Sequence, residues 1–260
     1  MRKLLVIIVA LSACSRSDVS SEELSVLFVG NSLTYVGNLP AVFDSVVAAN
    51  GKRSTSDMLV AAGATLTQRL EDGSFERAMS EGEYSVVVLQ ERGGDFMCGF
   101  GPQVCEDSRR SIGELATIAR QRGASPILLG TYQADPRASG SIVEAESEAA
   151  SNQDMRYVSV SDRFRLAREA MPELRWYDSD GAHPGNDLIL MQALLLYEII
   201  YEEGPAGVEV IVEAPIYSTS SGLRPEVRSA IDPAPLEGTE FGAVYDAPKV
   251  NRLIDQLSGP

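Results

Sequence analysis

Leu24-Ser25-Val26-Leu27-Phe28-Val29-Gly30, followed at once by Asn31-Ser32-Leu33-Thr34, is a short uncharged apolar run that stops at a glycine and a polar turn. A continuous run of this length suits a β-strand covered on both faces, as in a parallel sheet. Directly after it, segment 38–50 has helical spacing with Pro40 at a first-turn position. The same alternation continues along the chain. Strand-like runs recur at 58–62 (weaker), 84–89 (YSVVVL), 126–130 (PILLG) and 156–160, with helical composition at 108–122, 139–153 and, rich in Leu, Ile and Tyr, at 187–203. Strand-helix repetition of this kind predicts an α/β protein: a three-layer, doubly wound domain around a central parallel sheet of about five strands. Beyond residue 204 the pattern is irregular. It predicts a strand at 208–214, a short helix at 224–231 and a last helix at 248–257, packed on the same domain.

In such sheets ligands bind outside the carboxyl ends of the strands, where Ser32, Gly63, Gln90 and Tyr132 emerge in turn. Ser32 stands two residues past the first strand, with its own N–H near the start of the next segment, where free N–H groups can stabilise an oxyanion. The plainer reading of Asn31 and Ser32 is a turn or helix cap. The chain of 260 residues has one histidine, His183, in Asp180-Gly181-Ala182-His183-Pro184 just before the long apolar helix. Asp180 and His183 are three apart, a spacing that lets a carboxylate accept from one imidazole nitrogen while the other faces a serine. The competing reading of His183 is a capping or buried hydrogen-bonded residue beside Pro184.

These segments carry a resemblance. GNSLT at 30–34 resembles the first block of the SGNH, or GDSL-type, hydrolases, in the branch with GNS for GDS, and DGAHPG at 180–185 resembles their last block. The resemblance implies a flavodoxin-like α/β/α fold and a metal-free, cofactor-free serine esterase. It makes Ser32 the nucleophile, His183 the general base and acid, and Asp180 the residue that orients the imidazole. Gly63 in AAGATL aligns with the glycine whose N–H joins the Ser32 N–H in the oxyanion hole. The third block departs from the family pattern. Where these enzymes usually carry an asparagine after strand three, this chain has Leu89-Gln90-Glu91, resembling a divergent bacterial SGNH-like group. Gln90 is the candidate substitute donor, and its other reading is an anchor for the following loop. Loops 93–105 and 132–137 follow strands three and four and are candidates to line the pocket.

Two classes of function remain open on these residues: hydrolysis of an ester, with acetylated glycans among the candidates and acyl transfer as a variant, or a catalytically weak surface module that binds glycans or acts as a scaffold. The N-terminus bears on where either would work. Arg2 and Lys3 precede an apolar run at 4–11, which ends in Leu11-Ser12-Ala13-Cys14. The run is well under half of the roughly 20 residues that span a bilayer, and it reads as an export signal. LSAC resembles the lipobox of bacterial lipoproteins, which implies a signal at 1–13, a lipidated Cys14 with a polar tether to residue 23, and membrane anchorage in the cell envelope, on the outer membrane by the Ser15 sorting pattern. The single hydrolase-like domain then covers 24–260, with an extension from about 205. Outside the cytosol the remaining pair, Cys98 and Cys105, is free to form a disulfide, while two cysteines and one distant histidine make a poor metal site. With 22 basic and 37 acidic residues the net charge is −15, the wrong sign for a nucleic-acid partner.

Overall fold

The computed structural model describes residues 23–232 and 239–257, so the expected signal and lipidation site at Cys14 lie outside the described residues. The first five strands are β1 (Leu24–Gly30), β2 (Ser54–Val60), β3 (Val86–Leu89), β4 (Ser125–Leu129) and β5 (Arg156–Val158). They pair in parallel in the order β5-β4-β3-β1-β2, with Gly30 opposite Val60 and Val29 opposite Leu89. The chain therefore reverses its winding direction beside β1, and the crevice this opens lies at the carboxyl edge where Ser32 follows.

The two faces of β1 show why its sequence is apolar at every position from Val26 to Val29. Val26 and Phe28 enter one core with helices α2 (Leu39–Ala49) and α8 (Asn186–Tyr201). Leu27 and Val29 enter the other, with residues of α3 (Leu66–Glu71), α4 (Ser74–Glu81) and α5 (Pro102–Gln121). Because side chains alternate across a strand, a run buried on both sides cannot afford polar positions. The three-layer α/β/α arrangement read from the sequence is the one observed, completed by α6 (Pro136–Ser151) and α7 (Ser161–Ala170). The sequence reading did not include α3, α4 or α7. Of these, α4 and α7 have polar mean composition and hold on through a few apolar side chains, such as Phe75 and Phe164.

One expectation is corrected in the extension. Segment 224–231, expected as a short helix, instead forms β7 (Val227–Ser229), the sixth strand of the sheet, antiparallel to the edge of β2. Ala230 N–H continues the pairing to Ser56 O at 2.9 Å. An exposed edge strand presents unpaired backbone groups that a following segment satisfies by pairing, and that demand is invisible in the local pattern. The remaining strands, β6 (Val210–Ile216) and β8 (Glu240–Tyr245), make an antiparallel ribbon. Helix α9 (Ala247–Leu257) buries Val250, Leu253 and Leu257. The ribbon is tied to the sheet's active edge: Gly37 N–H donates to Tyr217 O at 2.9 Å, just past the end of β6.

Candidate active site

After Gly30 the chain turns into a single helical turn, α1 (Ser32–Tyr35), with Asn31 as its N-cap accepting from Leu33 N–H at 3.0 Å. Gly30 is required by close approach, since a Cβ there would sit 2.2 Å from Thr34 Oγ1. The capping role of Asn31 and the exposure of Ser32 are thus one device. A cap at Asn31 places Ser32 at the first helical position, where its N–H has no intrahelical acceptor.

The structure brings Ser32, His183 and Asp180 together across 151 residues. His183 Nε2 lies 2.9 Å from Ser32 Oγ, and His183 Nδ1 lies 2.5 Å from Asp180 Oδ2. An ionised carboxylate can only accept, so Nδ1 carries the proton and Nε2 is left to accept from the serine hydroxyl. The other Asp180 oxygen accepts from the Ala182 and His183 N–H groups at 2.9 and 3.0 Å. These two backbone donors, with the imidazole beside them, hold the Asp180 carboxyl down at about 2 despite some desolvation.

The loop that carries His183 is fixed from three sides. Asp178 N–H donates to His183 O at 2.9 Å, and Gly185 N–H donates to Trp176 O at 3.0 Å. From the end of β4, Tyr132 OH donates to Ala182 O at 2.7 Å. The Tyr132 ring is edge-on to Phe164 and tilted against Tyr177, and burial among them raises its hydroxyl above the ordinary tyrosine value. Beneath it, Glu146 accepts from Thr131 N–H and Oγ1 at 2.9 and 2.8 Å and from Tyr157 OH at 2.8 Å. Burial pushes the Glu146 carboxyl up to about 7. The sequence reading placed Tyr132 at the sheet edge without this role and did not single out Glu146. A glutamate inside a helix of ordinary composition gives no local sign that it will be buried.

Gln90 does not occupy the position the resemblance implied. Its side chain is 0% exposed; Oε1 accepts from Thr34 Oγ1 at 2.7 Å and Nε2 donates to Gly130 O at 3.4 Å. With both ends of the amide engaged in the interior, it braces the turn after β1 against the end of β4. Gly63 sits in the turn after β2, closed by Ala64 N–H to Ala61 O at 3.2 Å, with φ +65°. The β1–β2 register puts that turn at the same edge as Ser32. Glu91 is the neighbour whose role the sequence did not disclose. Its buried carboxyl group accepts from Leu66 N–H at 3.1 Å and Arg92 N–H at 3.1 Å, and is hydrogen-bonded to Ser108 Oγ at 3.3 Å. It thereby joins the turn after β2 to the loop after β3. Desolvation and the Asp95 charge raise it to about 8, against the pull of those N–H donors.

The expected Cys98–Cys105 disulfide ties that loop to the first turn of α5. Phe96 turns into the core, whereas Phe100 is 57% exposed, with the Arg92 guanidinium 4.4 Å over its ring. Arg92 is in turn paired with Asp95, Nη2 to Oδ1 at 2.7 Å. Gln133 Nε2 donates to Gly93 O at 3.4 Å, so the two loops considered as pocket walls touch one another. Among the described residues no group of three or more His, Cys, Asp or Glu side chains is placed to hold a metal ion.

No protein-family model matches the sequence, and no curated protein does. Solved structures share its fold. A DUF4886 family protein from Bacteroides uniformis superposes with a TM-score of 0.58 at 15% identity, over 70% of this chain and 84% of that one. The psychrotrophic esterase EstA from Pseudoalteromonas sp. gives 0.54 at 14%, over 68% and 97%. Axe2, an acetylxylan esterase from Geobacillus stearothermophilus, gives 0.51 at 14%, over 68% and 94%. The chain thus has the α/β/α fold of the SGNH-type esterases.

Proposed function

We propose that this protein is a serine ester hydrolase of SGNH type, and the observation that carries the reading is the unbroken line Asp180–His183–Ser32 at 2.5 and 2.9 Å. Ser32 Oγ attacks the ester carbonyl carbon as its proton passes to His183 Nε2, and the imidazolium is stabilised by the ionised Asp180. The oxyanion is received by the N–H groups of Ser32 and Gly63. His183 then gives its proton to the departing alkoxide, leaving an acyl-serine. Water adds to that acyl group while losing a proton to His183, and the carboxylic acid leaves as Ser32 Oγ regains the proton. Gln90 acts in this scheme as a brace for the turn that bears Ser32. A weak module that only binds glycans would have no need of the aligned triad. Acetylated glycans are the substrates that fit an enzyme anchored through Cys14 at the cell envelope, and the acetylxylan esterase with the same fold is in keeping with that choice.

The test is hydrolysis of para-nitrophenyl acetate by residues 15–260 and by the Ser32→Ala and His183→Ala variants, with folding checked by circular dichroism. Loss of turnover in both folded variants supports the reading. Equal rates in all three chains, together with no labelling of Ser32 by a fluorophosphonate, would overturn it.

A further inference from the structure

Beside the triad the extension closes a second concavity of about 270 Å³. One wall is the His183 loop, with Asp178, Ser179 and Pro184. The opposite wall is the end of β6 and the turn after it, Ser218 to Ser220, with Glu240 of β8. Val36 and Gly37 line it as well, and they directly follow α1. At about 1.5 Å of rise per residue, Val36 lies about 6 Å along the helix axis from Ser32, within reach of a substrate whose ester sits on the serine.

Its lining limits what it can hold. Arg175 also lines the pocket but is paired with Asp178, so Glu240 leaves the lining with a net negative charge that disfavours an anion. A bare cation would compete with Arg175, whose Nη2 is already 3.0 Å from Asp178 Oδ1. An acyl chain would strip water from hydroxyls and carboxylates without replacing their hydrogen bonds, which is costly. The side chains of Ser179, Asn186, Thr219 and Glu240 make no hydrogen bond among the described residues, so two hydroxyls, an amide and a carboxylate are open to a ligand that both donates and accepts. The volume falls just below the range for drug-sized ligand sites, about 300–1,000 Å³, and suits a single ring.

We infer that this pocket, built by the C-terminal extension against the His183 loop, is a subsite for one neutral sugar unit, on the alcohol side of the ester. The inference rests on the esterase reading for its catalytic consequence and on the pocket alone for binding. An occupant that touches Asp178 also bears on the loop that holds His183, because Asp178 N–H donates to His183 O.

Two measurements decide it. The first is the ratio of kcat/KM for a mono-O-acetylated methyl xyloside, whose remaining hydroxyls are free to donate, to kcat/KM for para-nitrophenyl acetate, in wild type, Thr219→Trp and Glu240→Ala, both at exposed positions. The ratio is expected to fall at least about tenfold when Thr219→Trp fills the pocket and to fall with Glu240→Ala; a ratio unmoved within about twofold in both overturns the subsite. The second needs no turnover: saturation-transfer NMR of Ser32→Ala with the methyl glycosides of xylose, glucose, galactose and N-acetylglucosamine. Signal from at least one, lost on adding Thr219→Trp, is expected, and no signal from any of the four overturns the inference. If wild type cleaves neither ester and a fluorophosphonate leaves Ser32 unlabelled, the esterase reading fails while the NMR result still decides the pocket.

Discussion

Replacing Glu91 by glutamine isolates the cost of keeping an ionisable group at the hinge between two active-site loops. Glu91 is 1% exposed, and its carboxyl rises from 4.5 to about 8, first through desolvation and then through Asp95. The folded protein therefore retains a proton that the unfolded chain has released between those values. The associated stability is fully present below pH 4.5 and is lost as the pH rises through about 8. At about 1.4 kcal/mol per unit, the loss is on the order of 5 kcal/mol. The amide introduced by Glu91→Gln is isosteric with the protonated acid, so its oxygen still accepts from Leu66 and Arg92 N–H while the slope disappears. Glu146, raised to about 7, and Asp44, raised to about 6, titrate in both chains and cancel in the comparison. Thermal melts of wild type and Glu91→Gln from about pH 5 to about pH 9 should nearly coincide at the acid end. They should diverge by about 10 °C in favour of the variant at the alkaline end, taking about 2–4 °C per kcal/mol for a domain of this size. Parallel curves within experimental error would refute the assignment of a buried, neutral Glu91.

Three further outcomes are expected. Tyr132→Phe removes the 2.7 Å bond to Ala182 O and leaves a part-buried carbonyl unpaired. It should cost about 1–3 kcal/mol in urea unfolding and lower kcat, with little change in KM, by up to about a hundredfold as His183 loses its register; unchanged kcat would show that the loop holds itself. Asp180, held at about 2, stays ionised through the working range and supports folding above pH 3.8, with that support lost as pH falls through about 2. A carbon-13 titration of its carboxyl should show a midpoint below about 3, and Asp180→Asn should lower kcat by about 10⁴ through the wrong imidazole tautomer. Finally, Cys98→Ser with Cys105→Ser opens a short cross-linked loop and should lower stability by about 2–3 kcal/mol, read by denaturant unfolding against oxidised wild type; no difference would mean the loop is ordered by Arg92, Asp95 and Phe100 alone.

The layers of this fold could be read from residue order because β1, β3 and β4 carry apolar runs buried on both faces, and α2, α5, α6 and α8 have helical spacing or composition of their own. The contact line Asp180–His183–Ser32 was legible for a related reason. Its members lie in two short segments, one of which holds the chain's single histidine, and their local geometry is set by an Asn31 cap and an Asp180 turn that neighbouring backbone groups complete. What only the tertiary structure decided concerns groups whose partners are far along the chain. Gln90 could equally have been a donor or an anchor from its sequence context, and it became an anchor because Thr34 and Gly130 meet it in the interior. Segment 224–231 became a strand because β2 offered an unpaired edge, and Glu91, Glu146 and Tyr132 acquired their roles from burial. Periodicity records which face of an element is apolar, and that is a local property. Hydrogen-bond partnership and desolvation depend on which distant segments meet, so they enter only when the chain is folded.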